Sequence, residues 1–207
     1  MTPVVITAYP DEPLIDIDRH PVMLDGPLSW AAAMRMHHRG EPCPPLTREH
    51  VPDLELPLAR WHIEPTWGWC CSAATYETAA RTATQLRRKP ATAPMARYTT
   101  EKRHHLALGP HKARDTTVPA TWARSLTWHA NTTNQPLLEE LLNLITHIGR
   151  NHAAGYGRIA RWEVHPGTDE NAWRNRPLPD PQGKPQGVRA PYHHPTRRFP
   201  CSWTPHA

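Results

Sequence analysis

The residues best equipped for chemistry lie together in Gly149-Arg150-Asn151-His152-Ala153-Ala154-Gly155-Tyr156-Gly157-Arg158. Three glycines within nine residues permit backbone conformations closed to other residues and let a ligand approach the main chain. Around them stand Arg150, Asn151, His152, Tyr156 and Arg158, which offer cations, amide donors and an aromatic face. That set suits a phosphodiester strand with exposed bases, the cations meeting phosphates and the ring stacking on a base. A dinucleotide-binding fingerprint follows a strand and opens a helix. Here an apolar helix is expected before the glycines and a short strand, Ile159 to His165, after them, so a nucleotide-cofactor reading fails on context. The same glycines also fit a purely structural role, a C-cap at Gly149 followed by a tight turn at Gly155 and Gly157.

A second chemical feature is a cationic segment. The formal net charge is only +5, yet residues 77–114 carry nine Arg/Lys against two Asp/Glu, whereas residues 1–76 carry five against ten. Arg87, Arg88, Lys89, Arg97, Lys102, Arg103, Lys112 and Arg114 are therefore where a polyanion should be met. The bland alternative is a solvated charged surface. Arginine outnumbers lysine twenty to four, a bias that a GC-rich genome produces without selection for nucleic acid.

Other elements must hold these residues in place. Val4, Ile6 and Ala8 alternate with Val5 and Thr7 within Pro3–Asp18, and Leu14–Ile17 forms a second extended piece after a turn. Leu28 to His38 reads as a helix with Asp25 as its cap, Pro27 in its first turn and Gly40 at its end. Five prolines make residues 41–58 a loop. Trp61, Ile63, Trp67 and Trp69 predict one buried strand over Arg60–Tyr76. Glu77–Lys89 has no apolar stripe, so with its return through Thr99–Leu108 it reads as an arm or hairpin projecting from the body.

Arg124–His129 alternates as a strand. Asn134 is placed to cap a helix from Pro136 to Ile148, with a broad apolar face and with Glu139 and Glu140 in the first turn. From Pro166 onward nine prolines in 42 residues predict an irregular tail. The sum is an α+β fold of the ferredoxin type, with residues 1–165 as the main domain, its arm at 77–114, and 166–207 as a Pro-rich C-terminal extension.

Bulk properties narrow the class further. At 207 residues the chain suffices for one domain with a real core or two small ones. No apolar run approaches 18 residues, so no membrane span is expected. Met1–Pro10 lacks a basic region followed by an apolar one, which points to the cytoplasm. Cys43, Cys70, Cys71 and Cys201 form no C-x-x-C pair, and the fifteen histidines show no ligating spacing. No metal or cofactor is therefore expected.

The motifs together resemble a known group. Leu126-Thr-Trp-His-Ala-Asn-Thr-Thr, the leucine-rich helix, and the run from Ile148 through the glycine loop to Val164 resemble the C-terminal signature of the CRISPR-associated RAMP superfamily. Within it they are similar to the subunit that binds the 5′ handle of the guide RNA in type IV effector complexes. Met23-Leu-Asp-Gly-Pro-Leu-Ser-Trp-Ala31 and Gly109-Pro-His-Lys112 agree with this, so the resemblance touches most of residues 20–165. It implies an RRM-like body with a projecting thumb within Glu77–Arg114, present as one copy that caps a filament of backbone RAMP subunits. It also implies a large subunit as neighbour and target DNA in the assembled complex. The tail matches only loosely, at Pro195-Thr-Arg197-Arg198, where the arginines could meet RNA or a neighbouring subunit.

Two functions follow from these residues. The first is a non-catalytic subunit that binds CRISPR RNA through the glycine loop and the cationic arm. The alternative is a metal-independent endoribonuclease that processes pre-crRNA. It would need a base, an acid and a cation at the scissile phosphate, and His152, His37 or His38, and Lys112 are its candidates.

Overall fold

Alternation builds the first element. In β1 (Thr2–Pro10), Val4, Ile6 and Ala8 are buried while the residues between them are half-buried, as expected of a strand with one face in the core. The computed structural model describes residues 1–17, 21–45, 47, 49, 51–88 and 112–203. Among these residues two helices, α1 (Asp25–His38) and α2 (Gln135–Leu144), accompany eight further strands. These are β2 (Leu14–Ile15), β3 (Arg60–Ile63), β4 (Thr66–Trp69), β5 (Thr75–Arg88), β6 (Arg114–Thr132), β7 (Ile159–Pro166), β8 (Pro177–Gly187) and β9 (Arg198–Trp203). The fold is α+β with mostly antiparallel sheets, as the sequence predicts.

In the main sheet β1 lies between β6 and β7, with Ile6 opposite Trp128 on one side and Val164 on the other. β2 continues along the same edge of β6, at Thr121 and Ala120. β5 takes the other edge of β6, from Thr75↔Thr127 to Arg88↔Arg114. Both helices share one core with the inward residues of this sheet: Leu28, Ala31, Leu138, Leu141 and Leu142 pack with Val4, Ile6, Leu126 and Trp128. Buried indoles need partners for their N–H groups. Trp128 donates to the Val22 carbonyl at 2.8 Å, and Trp162 to that of Ile145 at 3.1 Å.

Several elements depart from the sequence reading, each for a local reason. Arg60–Tyr76 is not one strand. It forms the hairpin β3–β4 and then the start of β5, because Pro65 has no N–H with which to continue a ladder. α2 starts as predicted, with Asn134 Oδ1 accepting from Leu137 N at 3.1 Å, but it ends at Leu144 and not Ile148. Ile145 has turned extended, and the segment after it pairs with the far side of the glycine loop through Ile148 N to Gly157 O and Ile159 N to Thr146 O. No acidic residue stands in the first turn of α2; Glu140 instead accepts from Arg35 of α1 at 2.6 Å.

Asp25 does not cap α1. The N-cap is Leu24, and Asp25 is completely buried, where it accepts from Tyr192 and from the backbone N–H of Ala190. The strand expected at Arg124–His129 is 19 residues long.

The tail is the largest correction. Residues 167–203 form the hairpin β8–β9 with two short 3-10 turns, around a second cluster of Trp61, Trp173, Leu178, Val188 and Cys201. Buried arginines tie it on as well. Arg176 is completely buried and donates to the carbonyls of Trp69, Cys71 and Val188 at 2.6–2.8 Å. Desolvation alone would lower the pKa of this guanidinium, but the Asp25 carboxylate and the hydrogen bond with Tyr192 outweigh it, and the group stays charged. Arg189 and Arg197 both reach Asp53, tying the 51–54 segment to the same hairpin. Arg197, a candidate RNA contact, is thereby consumed inside the protein, while Arg198 is exposed and donates to Pro185 O at 3.0 Å. Among the described residues no helix is long and apolar enough to cross a membrane.

Candidate nucleic-acid interface

The long strand β6 creates the candidate interface. Beyond Pro119, whose carbonyl still accepts from Asp16 N at 3.2 Å, β6 pairs with β5 alone among the described residues, so Thr84–Arg88 and Val118–Arg114 form a two-stranded ribbon. Most of β5 is exposed, which agrees with the expectation of an arm or hairpin. The ribbon places Arg88 directly opposite Arg114. Like charges facing each other across a sheet destabilise it, so this register gains from an anion. Arg87 donates to Asp115 at 3.1 Å in an exposed pair, an arrangement of little energetic weight. Lys112 is exposed and lies two residues past Arg114. Lys89, Arg97, Lys102 and Arg103 fall outside the described residues.

The glycine loop sits at the other end of the same surface. Gly149, Asn151, Gly155 and Gly157 all adopt positive φ, with one 3-10 turn, His152–Ala154, between them. Gly157 closes the loop: its N–H reaches Pro13 O at 3.0 Å and its carbonyl accepts from Ile148 N at 2.8 Å. The two arginines act as braces. Arg150 pairs with Asp16, just after β2, at 2.6 Å and Arg158 with Asp11, in the β1–β2 turn, at 2.7 Å, so both side chains are anchored at the two ends of β2 and each has acidic company. Most of the free positive field therefore comes from the ribbon. Asn151 and His152 are exposed.

Tyr156 makes the connection. Its hydroxyl is hydrogen-bonded to that of Thr84 on β5, 2.9 Å away. This contact joins the loop to the foot of the ribbon, and neither residue's side of it was visible in the sequence, where Tyr156 reads only as a stacking ring. Tyr156→Phe is expected to cost about 0.5–1.5 kcal/mol of stability. In urea unfolding, Thr84→Val combined with it should add almost nothing; full additivity would mean the two hydroxyls act independently.

The open face of the main sheet is less suited to an anion. Tyr9, Arg161 and His165 all hydrogen-bond Glu163, and together they hold its carboxyl below the usual carboxylate range. A charged carboxylate thus stands beside the middle of β1, opposite Thr7.

The nuclease candidates are not gathered. His152 lies in the loop at the ribbon's foot, while Arg114 is four residues beyond Val118, the partner of Thr84, or about 13 Å along the strand. Lys112 is further still. His37 and His38 close the last turn of α1. One residue that sequence reasoning passed over does approach the loop: Trp30 of α1, 53% exposed, borders the same groove as Gly149 and His152. The signal was there, since Leu28, Ala31 and Ala32 mark the buried stripe of α1 and Trp30 stands off it.

Comparison with known proteins agrees with the resemblance. No curated protein matches the chain in sequence. Residues 3–202 match the family described as CRISPR type IV associated protein Csf3. That match spans both the sheet that carries the loop and ribbon and the hairpin locked on by Arg176, and the chain therefore belongs to the Csf3 family of type IV CRISPR-associated proteins.

Proposed function

We propose that the protein is a non-catalytic RNA-binding subunit that holds the 5′ handle of CRISPR RNA and caps the backbone filament of a type IV effector complex. The observation that carries this reading is the Tyr156–Thr84 contact, which makes the glycine loop and the cationic ribbon one continuous surface. The chain order β1, α1, β5, β6, α2, β7 and the sheet order β5-β6-β1-β7 support a ferredoxin-like, RRM-like RAMP body. In that body the ribbon is the base of the thumb. The ribbon arginines neutralise phosphates, the loop's main chain fixes the strand's path, and backbone RAMP subunits, the large subunit and target DNA complete the assembly.

Salt dependence is the test. If about five phosphates are contacted at a slope of about −0.7 each, raising salt from 50 to 200 mM weakens binding to single-stranded repeat RNA roughly a hundredfold. The triple variant Arg87→Glu, Arg88→Glu, Lys89→Glu should flatten that slope by about 2 while the protein stays folded. Binding that ignores salt, or a slope that the triple variant leaves unchanged, defeats the proposal. The same RNA incubated with protein in EDTA should stay intact; a discrete cut lost in His152→Ala would instead establish the endoribonuclease.

A further inference from the structure

We infer that the groove between the first helix and the glycine loop is a nucleobase pocket, in which one base of the bound RNA stacks on Trp30. This rests on the RNA-binding reading above and adds the place where a base, as distinct from a phosphate, is held.

The groove has a volume of about 360 Å³ and is bordered by Pro27, Trp30, Thr146, His147, Gly149 and His152. That size is at the small end of the range for small-molecule sites, about 300–1,000 Å³. Its composition is that of a base site: one large ring, a proline and a glycine for the flat faces, and two imidazoles and a hydroxyl at the edges. Thr146 Oγ1 and His147 Nδ1 are 3.0 Å apart, so the polar edge is already held in place by its own hydrogen bond. Trp30 is 53% exposed, and covering such a ring is favourable in proportion to the apolar area removed from water.

Position selects a base over other occupants. Gly149 and His152 belong to the loop whose other end, through Tyr156, touches the ribbon. A strand whose phosphates run along the ribbon and across the loop therefore arrives at Trp30 without leaving the protein. A second groove that Trp30 borders, with Ala33, Pro44, Leu54 and Pro191, has similar volume, but its polar groups are engaged elsewhere: the Ser29 hydroxyl donates to Asp25 O at 2.7 Å and the Asp53 carboxylate is held by Arg189 and Arg197. It offers an RNA base no comparable edge.

The experiment uses the full chain and two oligoribonucleotides of equal length and charge, one complete and one carrying a single abasic ribose, the gap moved through each position in turn. For the wild-type protein, one abasic position should weaken binding about 5- to 150-fold, the range for loss of a single stacked base. Trp30→Ala should show a similar loss with the complete RNA and become indifferent to the gap at that position, with its salt slope unchanged. Trp30→Phe should recover part of the affinity. If the wild type shows the salt slope but Trp30→Ala remains as sensitive to the gap as before, the pocket is overturned and the RNA-binding reading stands. If the wild type binds without a salt slope, both fail. Should Trp30→Ala leave RNA binding intact and instead abolish co-purification of the other complex subunits, the groove is a protein contact and the inference is wrong.

Discussion

Arg176→Ala is expected to lower the stability of the full chain by about 3–5 kcal/mol, the cost of breaking a fully buried ion pair from one side. The carbonyls of Cys71 and Val188 lose the guanidinium at once, and that of Trp69 keeps only the Cys71 N–H. Asp25, completely buried, is left without its cation, which stands 3.9 Å away in the intact protein. Tyr192 stays bonded to Asp25, but its phenol is held well above its ordinary range by desolvation and by that carboxylate, so it can donate a proton's worth of hydrogen bonding and no charge. Arg176→Lys keeps the charge and loses the planar fork, so one ammonium must serve carbonyls that two guanidinium nitrogens now serve. Its cost should fall between zero and that of the alanine variant. Urea unfolding followed by tryptophan fluorescence measures both. An alanine variant less than 1 kcal/mol from wild type would show that the C-terminal hairpin is held by its apolar cluster and not by this arginine.

The second large effect is expected at Gly157→Ala, with Gly155→Ala as its internal control. A methyl group on Gly157 would lie 1.9 Å from the carbonyl oxygen of Ile148, and φ there is +68°. That oxygen is backbone, on the same residue whose N–H donates to Gly157 O, so relief requires opening the loop closure itself. Overpacking and left-handed strain together set the cost at about 2–4 kcal/mol. Gly155 also has a positive φ, +91°, but a methyl there meets nothing within 4 Å. It should cost only the conformational term, about 1–2 kcal/mol. Equal destabilisation by the two variants, measured in the same urea series, would contradict the closed loop.

The parts of the fold legible in the sequence were those governed by local pattern. β1 follows from the alternation of Val4, Ile6 and Ala8, and α2 from its leucines and from Asn134, whose side chain does cap it. The glycine loop was legible because positive φ has few other solutions, and the structure uses it at Gly149, Gly155 and Gly157. What was illegible depends on partners far along the chain. Asp25 looks like a helix cap because nothing near it in sequence announces Tyr192 and Arg176, which lie more than 150 residues away. The C-terminal segment looks irregular because prolines hide its strands and because its anchor is a buried cation, a residue type that composition assigns to the surface. Arg150 and Arg158 were read as free cations for the same reason: only the folded segment around β2 brings Asp16 and Asp11 to them.

The place of β1 in the sheet bears on how the chain comes to be folded. It is the earliest strand, yet its two neighbours are β6, completed at Thr132, and β7, completed at Pro166. On the ribosome, at about 5–20 residues per second, it waits several seconds with both edges bare. Contacts this distant along the chain also slow the search for the native pairing once synthesis ends. Production of the protein should therefore respond to whatever shields an early, sticky strand during translation, and slowing synthesis should lengthen the exposure and not shorten it.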